Sequence, residues 1–307
     1  MKVLFTLPII GILIAALSFP HVNGAEERVG KIRFFTIYGW GKYTDSQYLN
    51  LFKEAFSEVL KTLKIEGEFN HFVEEEAFFK ALKGNRGPSL AQVGNVEQMI
   101  KTMRLGYRPV ITYSFQGLKA NRLCLYVKED SSFKKVKDLK GKTLTMSKNL
   151  FEYTKLRELL GEAPELFFSG VDLTGDGDAP AYAFYMEHPD ALFITVQQVK
   201  FLELNNPQTV KGNREIGCTE DYALMAMLAP PEITDSLVEE MVVLLNRIGA
   251  GERVQKFYPL LKYLKVKAYQ ADVKQYAPLA EAYEKAVEKG WDDDYRKLAA
   301  PEDNSEK

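Results

Sequence analysis

The 307 residues are 46% hydrophobic and 27% charged, with 40 Lys and Arg against 42 Asp and Glu, and only two cysteines. This balance excludes a disordered chain, a collagen-like repeat and a disulfide-stapled miniprotein, each of which needs a strong bias in charge, glycine or cysteine. A formal charge of −2 supplies no basic surface for neutralising phosphates, so no nucleic-acid partner is expected, and the length predicts two lobes, each burying its own core.

Met1 and Lys2 precede the apolar run 3–19, which Pro20 breaks before Val22-Asn23-Gly24-Ala25. A charged start, an apolar core and small residues at the end predict a cleavable signal peptide over 1–24, with cleavage after Gly24 or, as the alternative, after Ala25. The competing reading is an uncleaved anchor, for which the run is at the short limit of a spanning helix. Losing Lys2 leaves 39 basic residues against 42 acidic ones, a charge of −3. In an oxidising compartment Cys124 and Cys218 could pair. Both also lie in strand-like stretches, where a free cysteine serves as a small buried hydrophobe.

Residues 32–38 predict a buried strand, ending in the aromatic and glycine loop Tyr38-Gly39-Trp40-Gly41-Lys42-Tyr43. Thr44, with Gln47 three residues on, predicts a helix start, and Tyr48, Leu49, Phe52, Phe56, Val59, Leu60 and Leu63 recur at helical spacing. A strand over 68–73, a helix over 75–83, a strand over 88–93, a helix over 96–105 and a strand over 110–115 follow. Strands alternating with helices predict a mostly parallel sheet covered on both faces. A second α/β lobe begins with the strand 122–127. It continues with a strand over 143–146, a helix over 151–160, a strand from Phe167, a helix over 181–187, a strand over 191–196 and a helix over 198–204. Residues 222–228 read as one apolar strand, broken by Pro230-Pro231. The remainder reads as helical, over 234–248, 253–263 and 276–289, and residues 301–307 as a disordered tail.

The Asp-Leu-Lys-Gly-Lys-Thr run at 138–143 follows the charged Lys-Glu-Asp-Ser stretch at 128–131; Ala91-Gln92-Val93-Gly94 ends a strand; Gly106-Tyr107-Arg108-Pro109-Val110 comes a dozen residues later; and 226–231 precedes a long helix. In order and spacing these phrases, spread over 31–265, resemble the phosphonate/phosphate-type, type II periplasmic solute-binding proteins of ABC transporters. The resemblance implies an α/β fold of two lobes, each a mostly parallel sheet flanked by helices, joined by two crossing strands near 122–128 and 218–223. Lobe I would be 31–121 plus 222–300, and lobe II 127–218. It further implies a monomer in the periplasm that captures a small-molecule ligand between its lobes and presents it to an inner-membrane ABC permease, with no cofactor and no catalysis.

Ligands of open α/β sheets lie beyond the carboxyl ends of the strands. The loops there nominate Tyr38, Trp40, Tyr43, Asn95, Ser147, Asn149, Thr195 and Gln197 as ligand-binding residues, the aromatics packing on the ligand and the polar groups orienting it. Phosphonate receptors of this type follow the Asp-Leu-Lys-Gly-Lys strand with a Ser/Thr-rich turn that holds the anion. This chain has Thr145-Met146-Ser147-Lys148-Asn149 instead, with Lys148 either solvated or offsetting the missing hydroxyls. The flat rings of Tyr38, Trp40 and Tyr43 suit an apolar, cyclic or cationic ligand as well as an oxyanion. Two alternatives therefore stand beside oxyanion capture: a carrier of an apolar or lipid-like ligand, and a ligand sensor feeding a membrane receptor.

The chain contains no Gly-x-Ser-x-Gly, no Walker-type loop and no Gly-x-Gly-x-x-Gly after a strand, and His71 and His188 stand far apart without metal-ligand spacing. Neither a catalytic residue nor a metal site is expected. Residues 172–178 reproduce the first seven positions of a calcium loop, but Ala183 occupies the twelfth, where a bidentate Glu would complete the cage.

Overall fold

The computed structural model describes residues 29–37, 41–114, 116–175, 177–250 and 265–300, without the side chains of 41–49, 51 and 52. Strand β1 (Lys31–Ile37) alternates two apolar sets. Ile32 and Phe34 join Phe56, Val59 and Leu60 of α1 (Gly41–Leu63) and Val238 and Met241 of α8 (Asp235–Gly249) in one core layer. Phe35 and Ile37 join Phe78 and Leu82 of α2 (Glu75–Gly84) and Met99 and Ile100 of α3 (Val96–Met103) in the opposite layer. A strand apolar on both faces needs helices on both sides, and this one has them. Phe34 lies fully buried with its ring 4.6 Å from Phe69 and 4.9 Å from Phe56.

The first sheet has six strands in the order β13-β4-β12-β3-β1-β2. They are β1, β2 (Glu66–Phe72), β3 (Ser89–Gln92), β4 (Arg108–Ser114), β12 (Ala226–Ala229) and β13 (Lys267–Gln270). β1 is parallel to β2 and β3, β12 is antiparallel to β3 and β4, and β13 is antiparallel to β4. The second sheet runs β10-β6-β9-β7-β8, from β6 (Leu123–Lys128), β7 (Thr143–Ser147), β8 (Gly170–Thr174), β9 (Ala191–Thr195) and β10 (Asn213–Cys218). Its helices are α4 (Leu150–Leu160), the single turn α5 (Pro164–Phe167), α6 (Ala179–Met186) and α7 (Val196–Asn205). The central strand β9 is buried at every residue.

A two-stranded ladder joins the lobes: β5 (Ala120–Asn121) pairs antiparallel with β11 (Tyr222–Ala223). This corrects two sequence expectations. Residues 123–128 belong to the second sheet, so the first crossing, expected near 122–128, lies just before them in β5, while β11 falls within the expected 218–223. The predicted single strand 222–228 is two strands in different sheets. Its bend occurs at Leu224 and Met225, whose carbonyls accept hydrogen bonds from the Tyr276 hydroxyl at 2.9 Å and the Thr112 hydroxyl at 3.1 Å. Side chains distant in sequence thus satisfy the backbone that leaves the ladder.

Three further boundaries differ. α1 begins at Gly41, so Tyr43 falls on a helix instead of the predicted loop. The strand expected from Phe167 begins at Gly170, after α5. The C-terminal part is not all helical: β13 pairs with β4 along its whole length, and on its other edge the Asn246 amide bonds both the carbonyl and the N–H of Ala268 at 2.9 Å. Only Ala268 of that strand is buried, which leaves almost no periodic signal. The predicted signal peptide, the helix 253–263 and the tail 301–307 lie outside the described residues. No helix among the described residues is long and apolar enough to cross a membrane.

Helices α9 (Ala277–Glu288) and α10 (Trp291–Ala299) pack on α4 of the second lobe, and α9 also packs on α3. Arg157 of α4 donates to Asp294 at 2.7 Å and lies over the Trp291 ring at 4.8 Å. One apolar core therefore runs from Phe35 and Met99 through Tyr276, Leu279 and Tyr283 to Leu144, Met146 and Phe151.

Cys124 and Cys218 face each other across the β6–β10 ladder and form a disulfide, with their Cα atoms 4.1 Å apart. On the same strand the register shifts between Glu215 and Gly217. A Cβ placed on Gly217 would come within 2.5 Å of the Val136 Cγ2 atom. Gly217→Ala is therefore expected to destabilise the protein by about 1–3 kcal/mol through overpacking, measured as a lower denaturant midpoint with unchanged slope.

Candidate ligand-binding cleft

The carboxyl ends of β3, β7, β8 and β9 carry the loops that lead into helices, and the β5–β11 ladder adjoins those of the second lobe. Tyr222 of the ladder packs edge-on against Phe151 in the first turn of α4, with ring centroids 5.2 Å apart. Its ladder partner Asn121 reaches the start of α7: its amide donates to the Gln197 side chain at 3.4 Å, and its carbonyl accepts the Gln197 backbone N–H at 3.2 Å. Two helix N-termini of lobe II thus converge on the strands that connect the lobes.

Three nominated residues are N-caps engaged with their own helices. Asn95 accepts the Gln98 N–H at 2.9 Å, Asn149 accepts the Glu152 N–H at 3.2 Å, and Thr195 accepts the Gln198 N–H at 3.1 Å. Gln98 and Gln198 reach back, accepting from Gly94 N–H at 3.0 Å and from Thr195 N–H at 3.2 Å. Such a cap satisfies a donor that would otherwise point at an anion. Gln197 is held by Asn121, and Lys148 donates to the Ala299 carbonyl at 2.8 Å. Tyr38 and Trp40 lie outside the described residues, and Tyr43 is described only as backbone.

Ser147 differs from these. It is 1% exposed at the end of β7, and its hydroxyl has no hydrogen-bond partner among the described residues. Ser147 is in register with Thr174 at the end of β8, and the next residue, Lys148, donates its N–H to the Thr174 carbonyl at 2.8 Å. The loop after Thr174 ends at Asp178, the residue before α6. Gln198 ties this loop to α7 by donating to the Gly177 carbonyl at 2.8 Å. Asp178 makes no side-chain cap bond, and burial raises its carboxyl above the ordinary range. On lobe I the Gln92 side-chain oxygen, at the end of β3, is likewise buried without a partner among the described residues.

Burial, and after it the Glu152 carboxylate, push the Tyr222 phenol well above its usual range, so this hydroxyl stays protonated. Glu152 stands at the third position of α4, where the helix dipole favours an acid. Of the 172–178 loop, Asp172 is a strand residue that accepts from the Thr145 hydroxyl at 3.3 Å. The only grouping of three ligating side chains among the described residues is Cys124, Glu215 and Cys218, and both thiols are consumed by the disulfide. Sequence reasoning did not nominate Gln92, Asn121, Glu152, Asp178 or Tyr222. The one available sign for Gln92 and Asp178 was a polar residue at the end of a strand or the start of a helix.

This arrangement, two α/β lobes joined by a two-stranded crossing with loops and helix N-termini beside it, is the type II periplasmic-binding-protein fold. Among solved structures, the chain is similar to PhnD1 from Prochlorococcus marinus in complex with methylphosphonate, at 14% identity and a TM-score of 0.63 over 84% of this chain and 98% of that one. It is also similar to a binding-protein component of an ABC phosphonate transporter from Pseudomonas aeruginosa, at 16% identity and a TM-score of 0.58 over 88% and 97% of the two chains. A third is the periplasmic aliphatic sulphonate binding protein SsuA from Escherichia coli, at 15% identity and a TM-score of 0.51 over 85% and 88%. No family model matches the chain, and no curated protein matches it by sequence.

Proposed function

We propose that this protein is the substrate-binding component of an ABC-type transport system. It would capture a small ligand between its lobes without catalysis and present it, as a periplasmic monomer, to an inner-membrane permease. The observation that supports this reading is the β5–β11 ladder, a two-strand connection between lobes whose residues Tyr222 and Asn121 touch the starts of α4 and α7. Two crossing strands can serve as a hinge about which the lobes close on a ligand, and the closed form is what a permease can recognise. The fold neighbours that bind phosphonate and sulphonate support the class of protein. In this reading lobe I comprises 31–121 plus 222–300 and lobe II 127–218, with α9 and α10 laid across both.

The test uses the mature protein purified without refolding. Native mass spectrometry is expected to show a co-purified small molecule, and small-angle X-ray scattering a smaller radius of gyration in the loaded form than in the stripped form. A protein that carries nothing and keeps one radius of gyration with every solute class added would refute ligand capture.

A further inference from the structure

We propose that α9 and α10, which chain order attaches to lobe I, move as part of lobe II when the lobes close, so that the chain crosses between the moving bodies three times: at β5, at β11 and at 271–276. This rests on the ligand-capture reading above and assigns its moving parts. The chain leaves lobe I at Ala271, whose N–H donates to the Val110 carbonyl at 2.9 Å. A short 3-10 turn, Val273–Tyr276, follows, capped by the Asp272 carboxylate, which accepts the Lys274 N–H at 3.1 Å. At its end the buried Tyr276 donates its hydroxyl to the carbonyl of Leu224, the residue after β11. The third crossing is thus fastened to the second, which lets all three bend about one axis.

Beyond that point α9 packs on α3 of lobe I and α4 of lobe II alike, so the decision falls to α10, which packs on α4, and to the polar contacts. Toward lobe II, Arg157 bonds Asp294 at 2.7 Å with side chains 20% and 35% exposed, and its guanidinium covers the Trp291 ring. Tyr153 sets its ring 5.6 Å from that of Tyr295, Lys285 pairs with Glu158 at 3.4 Å, and Lys148, just before α4, donates to the Ala299 carbonyl at 2.8 Å. Toward lobe I, Arg104 at the end of α3 lies 3.4 Å from Glu284 and 5.5 Å over the Tyr283 ring, in an ion pair whose side chains are 52% and 61% exposed. An exposed pair adds little, whereas a half-buried guanidinium held by a carboxylate and an aromatic face adds more. When the lobes rotate, the contact with α3 is therefore the one that releases.

Spin labels on three exposed positions, Lys83→Cys in lobe I, Glu187→Cys in lobe II and Lys297→Cys in α10, introduced in pairs with the native disulfide left oxidised, test this by pulsed electron resonance. Distances are measured on the natively purified protein and again after its co-purified molecule is stripped. The distances from 83 to 187 and from 83 to 297 are expected to change on stripping while that from 187 to 297 stays constant, since a rigid body keeps its internal distances. A constant distance from 83 to 297 beside a changing one from 187 to 297 would put the two helices in lobe I, overturning the proposal and leaving closure standing. Changes in all three would make them a separate body and overturn it as well. Three constant distances would overturn hinge closure and this assignment together. Arg157→Gln should broaden the distribution from 187 to 297, and an unaltered distribution would overturn the part given to Arg157.

Discussion

Replacing Cys124 and Cys218 by alanine is expected to lower the unfolding free energy by about 2–5 kcal/mol, one of the two largest effects predicted for this protein. The bond closes a loop across a sequence separation of 94 residues, which includes β7, β8, β9 and their helices. Chain-entropy arguments place the constraint on an unfolded loop of that length near the top of this range. The effect acts chiefly on the unfolded state, since the β6–β10 ladder that holds the two residues opposite each other also has its own backbone bonds. Thermal melts of the double alanine variant are expected to show a midpoint lower by roughly 5–15 °C, and the parent melted in reductant should follow it. A double variant as stable as the parent would show that the bond contributes nothing to the fold.

The second large effect is expected at Phe151. This residue is 2% exposed, belongs to the core that spans both lobes, and sets its ring against Tyr222 in the connecting ladder. Phe151→Ala should cost about 3–5 kcal/mol, combining lost burial with a cavity that α4 cannot fill, because its other end is fixed to α10 through Arg157 and Asp294. Phe151→Leu keeps most of the volume and should recover the greater part of that loss. Equilibrium denaturation measures both. Equal stability of the alanine variant and the parent would mean that α4 is not anchored at its first turn. Because the ring contacts a hinge strand, the alanine variant should also shift the open and closed populations, read as a changed radius of gyration without ligand.

The elements that could be read from the sequence are those whose burial leaves a period. β1, β3 and β9 are buried runs bounded by loops, and α1 carries Phe56, Val59 and Leu60 at helical spacing. β13 could not be read, because its only buried residue is Ala268 and its partners are distant in sequence: β4 on one edge and Asn246, 22 residues earlier, on the other. The strand at 222–228 misled for a related reason. Its apolar character is continuous, while the bend depends on Tyr276 and Thr112, at sequence distances of 52 and 113 residues.

The cleft shows the same division. The Asn95-x-x-Gln98 and Thr195-x-x-Gln198 spacings are capping signatures, yet position after a strand pointed equally to ligand contact. Which use prevails depends on whether the side chain turns toward its own helix, and for Asn95, Asn149 and Thr195 it does. Asp178 and Ser147 drew separate attention in the sequence, one in a calcium-like loop and one in a turn poor in hydroxyls. The parallel pairing of β7 with β8 sets Ser147 beside Thr174, where the loop that leads to Asp178 begins.

The sequence by itself determined the class of architecture, because alternating strand and helix periods leave a chain of this length few ways to bury both faces of its sheets. It also determined where the loops that can meet a ligand fall, since those follow the strands. The tertiary structure decided the connecting ladder, the disulfide, the strap of α9 and α10 over α4, and which polar groups are satisfied. Hydrogen bonds and cross-links join residues tens to hundreds of positions apart, and a local pattern records only that a group is polar, not what it faces.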